Sequence, residues 1–125
     1  MAGHGTFYWN ELMTRDPKRA REFYGMTLGW TFDAMPMANG MTYSVARQAA
    51  TPVAGIFEMT GGDFAGVPTH WFSYIEVDDV DRRIAAATQA GAKLRRPIFT
   101  VPGIGRIAVI EDPVGAHVGW MTPAS

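Results

Sequence analysis

Three side chains of this 125-residue sequence could transfer a proton to or from a small molecule: Glu11, Glu58 and His70. A general acid or base works only within hydrogen-bond reach of the reacting group. Each of the three could equally be a polar group that serves only the structure. The sequence has no cysteine, which excludes thiolate nucleophiles, thiolate metal sites and disulfides. Ser44 and Ser73 lack the sharp turn that exposes a nucleophilic serine, so we expect no serine triad.

The elements that would position these side chains occur twice. Thr6 and Thr69 each open an aromatic-rich segment, TFYWNEL and THWFSYI, and Asp16 and Asp79 each open a helix-like segment. Both pairs lie 63 positions apart (69 minus 6 and 79 minus 16). A repeat of this length that is present only twice indicates a duplicated supersecondary unit rather than a solenoid.

The first copy predicts a strand, a helix and three further strands. Alternating residues predict the first strand over 7–13. Asp16 is the predicted N-cap, Pro17 suits the first helical position, and Gly29 ends the helix. Three strands follow, with a hairpin at Asn39-Gly40 between the first two: residues 30–35, 41–47 and 53–59.

The second copy repeats this order. A strand is predicted over 70–77, Asp79 caps the next helix, and Gly91 closes it. Three strands follow, over residues 94–101, 106–111 and 117–122. Each predicted helix carries an apolar face that must pack on something: Ala20, Phe23, Tyr24, Thr27 and Leu28 in the first, and Val80, Ile84 and Ala87 in the second.

This pattern predicts an α+β fold of two βαβββ modules in one chain, which form a curved mixed sheet with a helix on the outer face of each module. We expect one domain over 1–125, with module one at about 5–60, a linker at 61–69 and module two at about 70–122. Hydrophobic residues make up 47% and charged residues 18% of the chain, as in globular proteins.

Charge and hydropathy limit the partners and the location. A net charge of -1 predicts binding neither to nucleic acid nor to an anionic membrane surface. No apolar run is long enough to span a membrane. The first residues, MAGHG, lack the basic and apolar regions of a signal peptide. We therefore expect a cytoplasmic protein.

Three short motifs at consistent spacing resemble the vicinal oxygen chelate superfamily, which is also called the glyoxalase, bleomycin resistance and dioxygenase group. They are Phe23-Tyr24 with Leu28-Gly29-Trp30, the segment VDDVD at 77–81, and DPVG at 112–115. The resemblance covers nearly the whole chain. It implies that two modules form a cleft, often at a dimer interface, where many members bind a divalent metal through His, Gln and Glu.

Carried over position by position, the resemblance places no metal ligand in this chain. The first-strand ligand, fifteen residues before the Tyr of the Phe-Tyr pair, falls on Trp9, and its repeat falls on Phe72. The last-strand ligand, seven residues beyond the Asp of the Asp-Pro turn, falls on Gly119. Its repeat falls near Ile56, with the register open by a residue or two. An indole, a phenyl ring, a hydrogen atom and an alkyl chain do not ligate a hard cation.

A displaced metal site is the alternative. Residues two apart on a strand share a face, so Glu11 accompanies Trp9 and His117 accompanies Gly119. Glu58 and His70 likewise accompany Ile56 and Phe72. These two His and two carboxylates are ligand types that suit a divalent ion such as Zn, Ni, Fe or Mn, and Glu58, His70 and His117 are the three that we assign to the alternative metal site.

Two functions follow from the resemblance. The first is a metal-free protein that binds an aromatic or amphipathic small molecule, as bleomycin resistance proteins do, and we expect it to form a homodimer. The second is a metal-dependent lyase, isomerase or dioxygenase resembling glyoxalase I, with Glu11, Glu58 and His70 as catalytic residues. The expected ligand-binding residues are Phe7, Trp9, Ile56, Phe72, Tyr74, Gly119 and Met121.

Overall fold

The computed structural model describes residues 3–37 and 40–124. These residues form two α-helices, one 3-10 turn and eight strands of mixed direction, an α+β fold of two βαβββ modules, as predicted. The first module comprises β1 (Phe7–Thr14), α1 (Pro17–Leu28), β2 (Thr31–Pro36), β3 (Thr42–Gln48) and β4 (Thr51–Glu58). The second comprises β5 (His70–Glu76), α2 (Val80–Gln89), β6 (Lys93–Val101), β7 (Gly105–Glu111) and β8 (His117–Pro123).

The two modules have the same internal strand order. In the first, β2, β3 and β4 pair antiparallel in sequence, and β4 then pairs parallel with β1. In the second, β6, β7 and β8 pair antiparallel, and β8 pairs parallel with β5. The first strand of each module is therefore bonded to the last strand of the same module. This pairing confirms the duplication that the sequence repeat predicts.

Both helices begin where the sequence places them. The Asp16 side chain caps α1 by accepting a hydrogen bond from the Arg19 backbone N–H at 3.0 Å. The Asp79 side chain caps α2 by accepting one from the Arg82 backbone N–H at 3.2 Å. Gly29 ends α1 with a φ of 75°, the left-handed conformation that favours glycine. Strands β2 and β3 pair antiparallel on either side of the predicted hairpin, with Pro36 opposite Thr42, although Asn39 of the predicted turn lies outside the described residues.

The chain divides into two compact units whose boundaries cut through β1 and β5. We call residues 9–71 the N-terminal unit, and residues 3–8 together with 72–124 the C-terminal unit. In the C-terminal unit the early residues pair with the end of β5: the Gly5 N–H donates to the Glu76 carbonyl at 2.7 Å, and the Glu76 N–H donates to the Thr6 carbonyl at 2.8 Å. The amino end of β1 thus packs with the second half of the sequence.

The two helices pack differently. In α2, Val80 and Ile84 are buried in a cluster with Val77, Ala108 and Ile110, as the apolar period predicts. All twelve residues of α1 are described, and none of them is buried. The predicted apolar face of α1 is therefore packed only in part within this chain: Ala20 and Tyr24 are half-buried, and Phe23, Thr27 and Leu28 are exposed.

An aromatic cluster at the end of α1 explains one motif. Tyr24 stacks on Trp30, with ring centroids 5.2 Å apart, and both rings meet the edge of Trp71. The Trp71 indole N–H donates to the Tyr24 hydroxyl at 3.2 Å. The motif Phe23-Tyr24 and Leu28-Gly29-Trp30 therefore anchors the carboxyl end of α1. Neither α-helix of the described residues has the length and hydropathy needed to cross a membrane.

The unequal packing predicts unequal mutational costs. Ile84→Ala in α2 should lower the free energy of unfolding by about 2–5 kcal/mol, because it leaves a cavity in the buried cluster. Met26→Ala in α1, whose side chain is 86% exposed, should change it by less than about 0.5 kcal/mol. Urea titration monitored by circular dichroism measures both. Equal costs for the two variants would contradict the packing described.

Candidate functional site

The sheet face opposite α1 in the N-terminal unit carries Trp9, Glu11, Tyr43 and Gly55. Trp9 and Glu11 lie two apart on β1, and so point to the same side. In the register, Glu11 pairs with Gly55, and Gly55 pairs with Val45 on its other side. Tyr43 lies two residues from Val45 on β3 and therefore shares this face. The side chains of β1 and β3 can meet only by crossing β4, the strand between them.

The Tyr43 hydroxyl joins Trp9 and Glu11. The Trp9 indole N–H donates to the hydroxyl oxygen at 2.9 Å, and the hydroxyl hydrogen-bonds to the Glu11 carboxylate. Glu11 is only 7% exposed. Burial raises the pKa of Tyr43 well above its ordinary value, and the nearby charge of Glu11 raises it further. Tyr43 is therefore a neutral donor, which accepts from the indole and donates to the carboxylate.

Gly55 makes this arrangement possible. A Cβ built on Gly55 would coincide with the hydroxyl and ring edge of Tyr43. Only a residue without a side chain lets the Tyr43 ring lie across β4 and reach β1. The backbone of β4 thus forms the floor on which the Trp9–Tyr43–Glu11 group rests.

The C-terminal unit has a matching feature on its own strands. Phe72 and Tyr74 share a face of β5, and their rings meet edge to face with centroids 5.2 Å apart. Tyr74 pairs with Gly119 on β8, and a Cβ on Gly119 would overlap the Tyr74 ring and lie 3.2 Å from Phe72. Met121 lies two residues further on the same face and is 4% exposed. Here too an aromatic ring covers a glycine on the last strand of the module.

The strand register corrects the position expected on β4. Glu11 pairs with Gly55 in the first module as Tyr74 pairs with Gly119 in the second. The β1 and β5 positions differ by 63 (74 minus 11), but those on β4 and β8 differ by 64 (119 minus 55). The residue equivalent to Gly119 is therefore Gly55, not Ile56. Subtracting the repeat spacing of 63 from 119 gave Ile56, one residue too far along β4. An error of one residue moves the expected side chain to the other face of the strand.

Ile56 and Glu58 consequently do not join the Trp9 face. Ile56 pairs with Leu12 on the side of the sheet that faces α1, where it is 1% exposed in the core. Glu58 follows on that same side and lines an open pocket near the start of α1. The expected grouping of these two residues with Trp9 is wrong for the register reason given above.

Three further predicted residues have surroundings of their own. His70 Nδ1 is 2.7 Å from the Pro68 carbonyl oxygen, and Phe7 is 69% exposed in the C-terminal unit. His117 Nε2 lies 3.7 Å from Glu111 Oε1, an ion pair when the ring is protonated. Across residues 3–37 and 40–124, no group of three or more His, Asp or Glu side chains is arranged to hold a metal ion. The alternative ligand set Glu58, His70 and His117 stays a prediction of the sequence.

Tyr43 is the member of the face that the sequence did not single out as a site residue. The sequence pattern that could have identified it is a tyrosine on β3 and a glycine on β4, together with a Trp and a Glu two residues apart on β1. The pattern depends on strand register, which the sequence leaves open by a residue.

The fold agrees with comparisons to known proteins. The sequence model of the Glyoxalase/Bleomycin resistance protein/Dioxygenase superfamily matches residues 6–119. The chain belongs to this superfamily, which confirms the resemblance found in the sequence.

Two curated relatives and one solved structure illustrate the likeness. CFP32 of Mycobacterium tuberculosis, whose name assigns it provisionally to the glyoxylases, is 38% identical over 96% of this chain and 45% of that protein. DnrV of Streptomyces peucetius, an anthracycline biosynthesis protein, is 32% identical over 86% of this chain and 43% of that protein. The chain thus spans less than half the length of these relatives. The crystal structure of methylmalonyl-CoA epimerase from Mycobacterium tuberculosis has a TM-score of 0.70, is 15% identical and covers 100% of this chain and 93% of that chain. At this identity the structural likeness shows the fold alone.

The glycine floor predicts a substitution whose cost depends on Tyr43. Gly55→Ala should lower the free energy of unfolding by about 1–3 kcal/mol, because the new methyl group expels the Tyr43 ring. In a Tyr43→Ala background the same change should cost much less. Gly25→Ala in α1 is the control, because its Cβ would meet only the Trp30 carbonyl oxygen at 3.6 Å, and it should be neutral or stabilising. Urea titration of these variants and of the Gly55→Ala, Tyr43→Ala double variant gives the coupling, and additive costs would contradict the arrangement.

The raised pKa of Tyr43 predicts a loss of stability at alkaline pH. Above about pH 10, the unfolded chain releases the Tyr43 proton while the folded chain keeps it. The free energy of unfolding should therefore fall as the pH rises, by up to about 1.4 kcal/mol per pH unit from this group. Urea midpoints between pH 9 and 11 should fall more steeply for the native chain than for Tyr43→Phe. Parallel slopes would show that Tyr43 ionises normally in the folded protein.

Proposed function

We propose that this protein binds a small aromatic or amphipathic molecule on the sheet face of the Trp9–Tyr43–Glu11 group. Membership of the superfamily is established above, and the binding function is our proposal. The observation that carries it is the hydrogen bond from Trp9 to Tyr43, which holds a half-buried indole in one orientation. A ring fixed in advance loses little conformational entropy when a ligand stacks on it.

The chemistry of this face suits a flat molecule with one polar group. Stacking on an indole contributes about 0.5–1.5 kcal/mol beyond the area buried. The nearly buried Glu11 carboxylate supplies an acceptor beside the ring, so a hydroxyl or amine on the ligand would be oriented. Phe72 and Tyr74 offer a second aromatic surface on the C-terminal unit, which we propose as a ligand contact on the same reasoning.

We infer that a divalent metal is not part of this function. The superfamily positions for ligands fall on Trp9, Gly55, Phe72 and Gly119, and none of these side chains offers a lone pair suited to a hard cation. The residues present therefore do not fit the ion, and we derive no chemical step through it.

An enzymatic role is the second candidate, and the buried Glu11 carboxylate favours it. A carboxylate bonded to a neutral tyrosine hydroxyl could accept a proton from a bound substrate. The relatives named above as glyoxylase and as anthracycline biosynthesis proteins make a lyase, isomerase or dioxygenase the classes to assay. Glu58 is a less suitable catalytic residue, because it lies on the other face of its sheet, and a catalytic role for His70 stays a prediction.

We also propose a homodimer, supported by the exposed Phe7 and by the helix α1, whose apolar face is packed only in part within the chain. Light scattering after size-exclusion chromatography measures the mass directly. A cytoplasmic location stays a prediction of the sequence.

The binding proposal predicts a ligand-dependent gain in stability that requires Trp9. In a thermal-shift screen of aromatic compounds that begins with an anthracycline, a true ligand at a hundred times its dissociation constant should raise the free energy of unfolding by about 2.7 kcal/mol. Trp9→Phe, which removes the indole N–H bonded to Tyr43, should lower the affinity for that ligand. Trp71→Phe is the matched control, because Trp71 contacts Tyr24 near the end of α1, and it should leave binding unchanged.

Two results would contradict the proposal. One is a ligand that binds equally to the native chain and to Trp9→Phe. The other is stoichiometric zinc, nickel, iron or manganese in the purified protein by elemental analysis, lost on Glu58→Ala or His70→Ala. The second result would transfer support to the metal-dependent enzyme.

A further inference from the structure

The loose packing of α1 leaves an open pocket on the side of the N-terminal unit away from Trp9. Its volume is about 800 Å³, and it lies among the first turns of α1, strands β2 and β3, and the end of β4. Pockets of roughly 300–1,000 Å³ accommodate small organic molecules. The pocket is separate from the Trp9–Tyr43–Glu11 group, because the strands between them present opposite faces.

The floor of the pocket combines apolar side chains with one buried hydroxyl. Phe32, Ala34 and Met41 contribute hydrocarbon and thioether surface. Ser44 is 4% exposed, and its hydroxyl accepts a hydrogen bond from Arg21 Nη1 at 3.2 Å. This bond fixes the Arg21 guanidinium over the floor and leaves its other N–H groups available to a ligand.

Three cations line the pocket: Arg15, Lys18 and Arg21. The 3-10 turn (Gly62–Phe64) and the residues just after it hold Arg15 in place. The Arg15 guanidinium donates to the Phe64 carbonyl at 2.6 Å and to the Val67 carbonyl at 2.7 Å. These bonds are to neutral carbonyls, so the positive charge of Arg15 is not neutralised.

The carboxylates of the pocket balance these cations only in part. Asp33 pairs with Arg47 outside the pocket, whereas Asp16, which caps α1 through the Arg19 N–H, and Glu58 keep their charges. Among the described residues, the ion pairs include none between a carboxylate and Arg15, Lys18 or Arg21.

Arginines of the C-terminal unit differ in this respect. Arg83 Nε forms an ion pair with Asp78 Oδ1 at 2.8 Å, and Arg106 Nε forms one with Asp81 Oδ2 at 2.7 Å. Their guanidinium groups hold the pKa of each of these carboxyls below its usual range. In the pocket, by contrast, none of the three cations is ion-paired among the described residues, and with Asp33 taken up by Arg47 they exceed the remaining carboxylates, Asp16 and Glu58, by one formal charge.

We propose that this pocket binds a small organic carboxylate, with the carboxylate on Arg21 and Lys18 and an aromatic or aliphatic body on Phe32. Arginine matches a carboxylate in a planar, bidentate geometry. Glu58 lines the same pocket and opposes a second negative charge, so a singly charged ligand fits better than phosphate. The site is independent of the function proposed for the Trp9 face.

Benzoate at constant ionic strength tests the proposal, with benzamide as the neutral analogue and inorganic phosphate as the doubly charged one. Isothermal titration should detect benzoate binding and little or no binding of the other two. Arg21→Gln should lower the affinity for benzoate about tenfold. Lys18→Gln, an exposed change with little risk to folding, should lower it about threefold. Lys93→Gln in β6 is the matched control and should leave the affinity unchanged.

A gain of affinity separates electrostatics from misfolding. Glu58→Gln should tighten benzoate about threefold, because it removes the repelling charge. Trp9→Phe should have no effect on benzoate, so failure here and failure of the Trp9 proposal remain distinguishable. The proposal is overturned by any of three results: benzamide or phosphate binding as well as benzoate, Lys18→Gln behaving as Lys93→Gln does, or benzoate affinity falling in Trp9→Phe but not in Arg21→Gln.

Discussion

The parallel pairing of the first and last strands in each module is the constraint on which the faces of both sheets depend. In the first module it sets Glu11 beside Gly55, and in the second it sets Tyr74 beside Gly119. Because side chains alternate across a strand, this one register decides which residues lie under the helix and which lie on the opposite face. The two glycines then determine where an aromatic ring can lie flat on the backbone. A shift by one residue would bury Glu11 under α1 and bring Leu12 to the open face.

The modules share this frame but use it differently. In the first, the ring that covers the glycine comes from Tyr43 on β3, and its hydroxyl is hydrogen-bonded to Trp9 and Glu11. In the second, the covering ring is Tyr74 on the strand next to the glycine, with Phe72 against its edge. Duplication thus preserved the backbone geometry, while the side chains on the two faces became polar in one module and apolar in the other. The same divergence is visible in the helices, since α2 closes over its core and α1 leaves a charged pocket.

Much of the fold could be predicted from local signals, and the site only in part. The caps at Asp16 and Asp79 and the stop at Gly29 are local, and they form as expected. The co-facial residues of the second module also followed from alternation within single strands. The β4 residues did not, because the two copies differ by one residue in length and the repeat spacing was applied unchanged. The apolar face of α1 was misjudged in part for another reason: the period of a sequence shows that a face exists, but not how much of it this chain covers.

The hydrogen bonds between Gly5, Thr6 and Glu76 have a consequence for how the protein is made. On the ribosome, Gly5 and Thr6 emerge long before the segment that pairs with them. They must stay unpaired until the end of β5 has left the exit tunnel. Closing so long a loop costs entropy that only the completed sheet repays, and such non-local contacts slow folding. Removal of residues 3–6 would therefore take hydrogen-bond partners from the end of β5, in the half of the protein that is translated last, and not from the half that follows them in sequence.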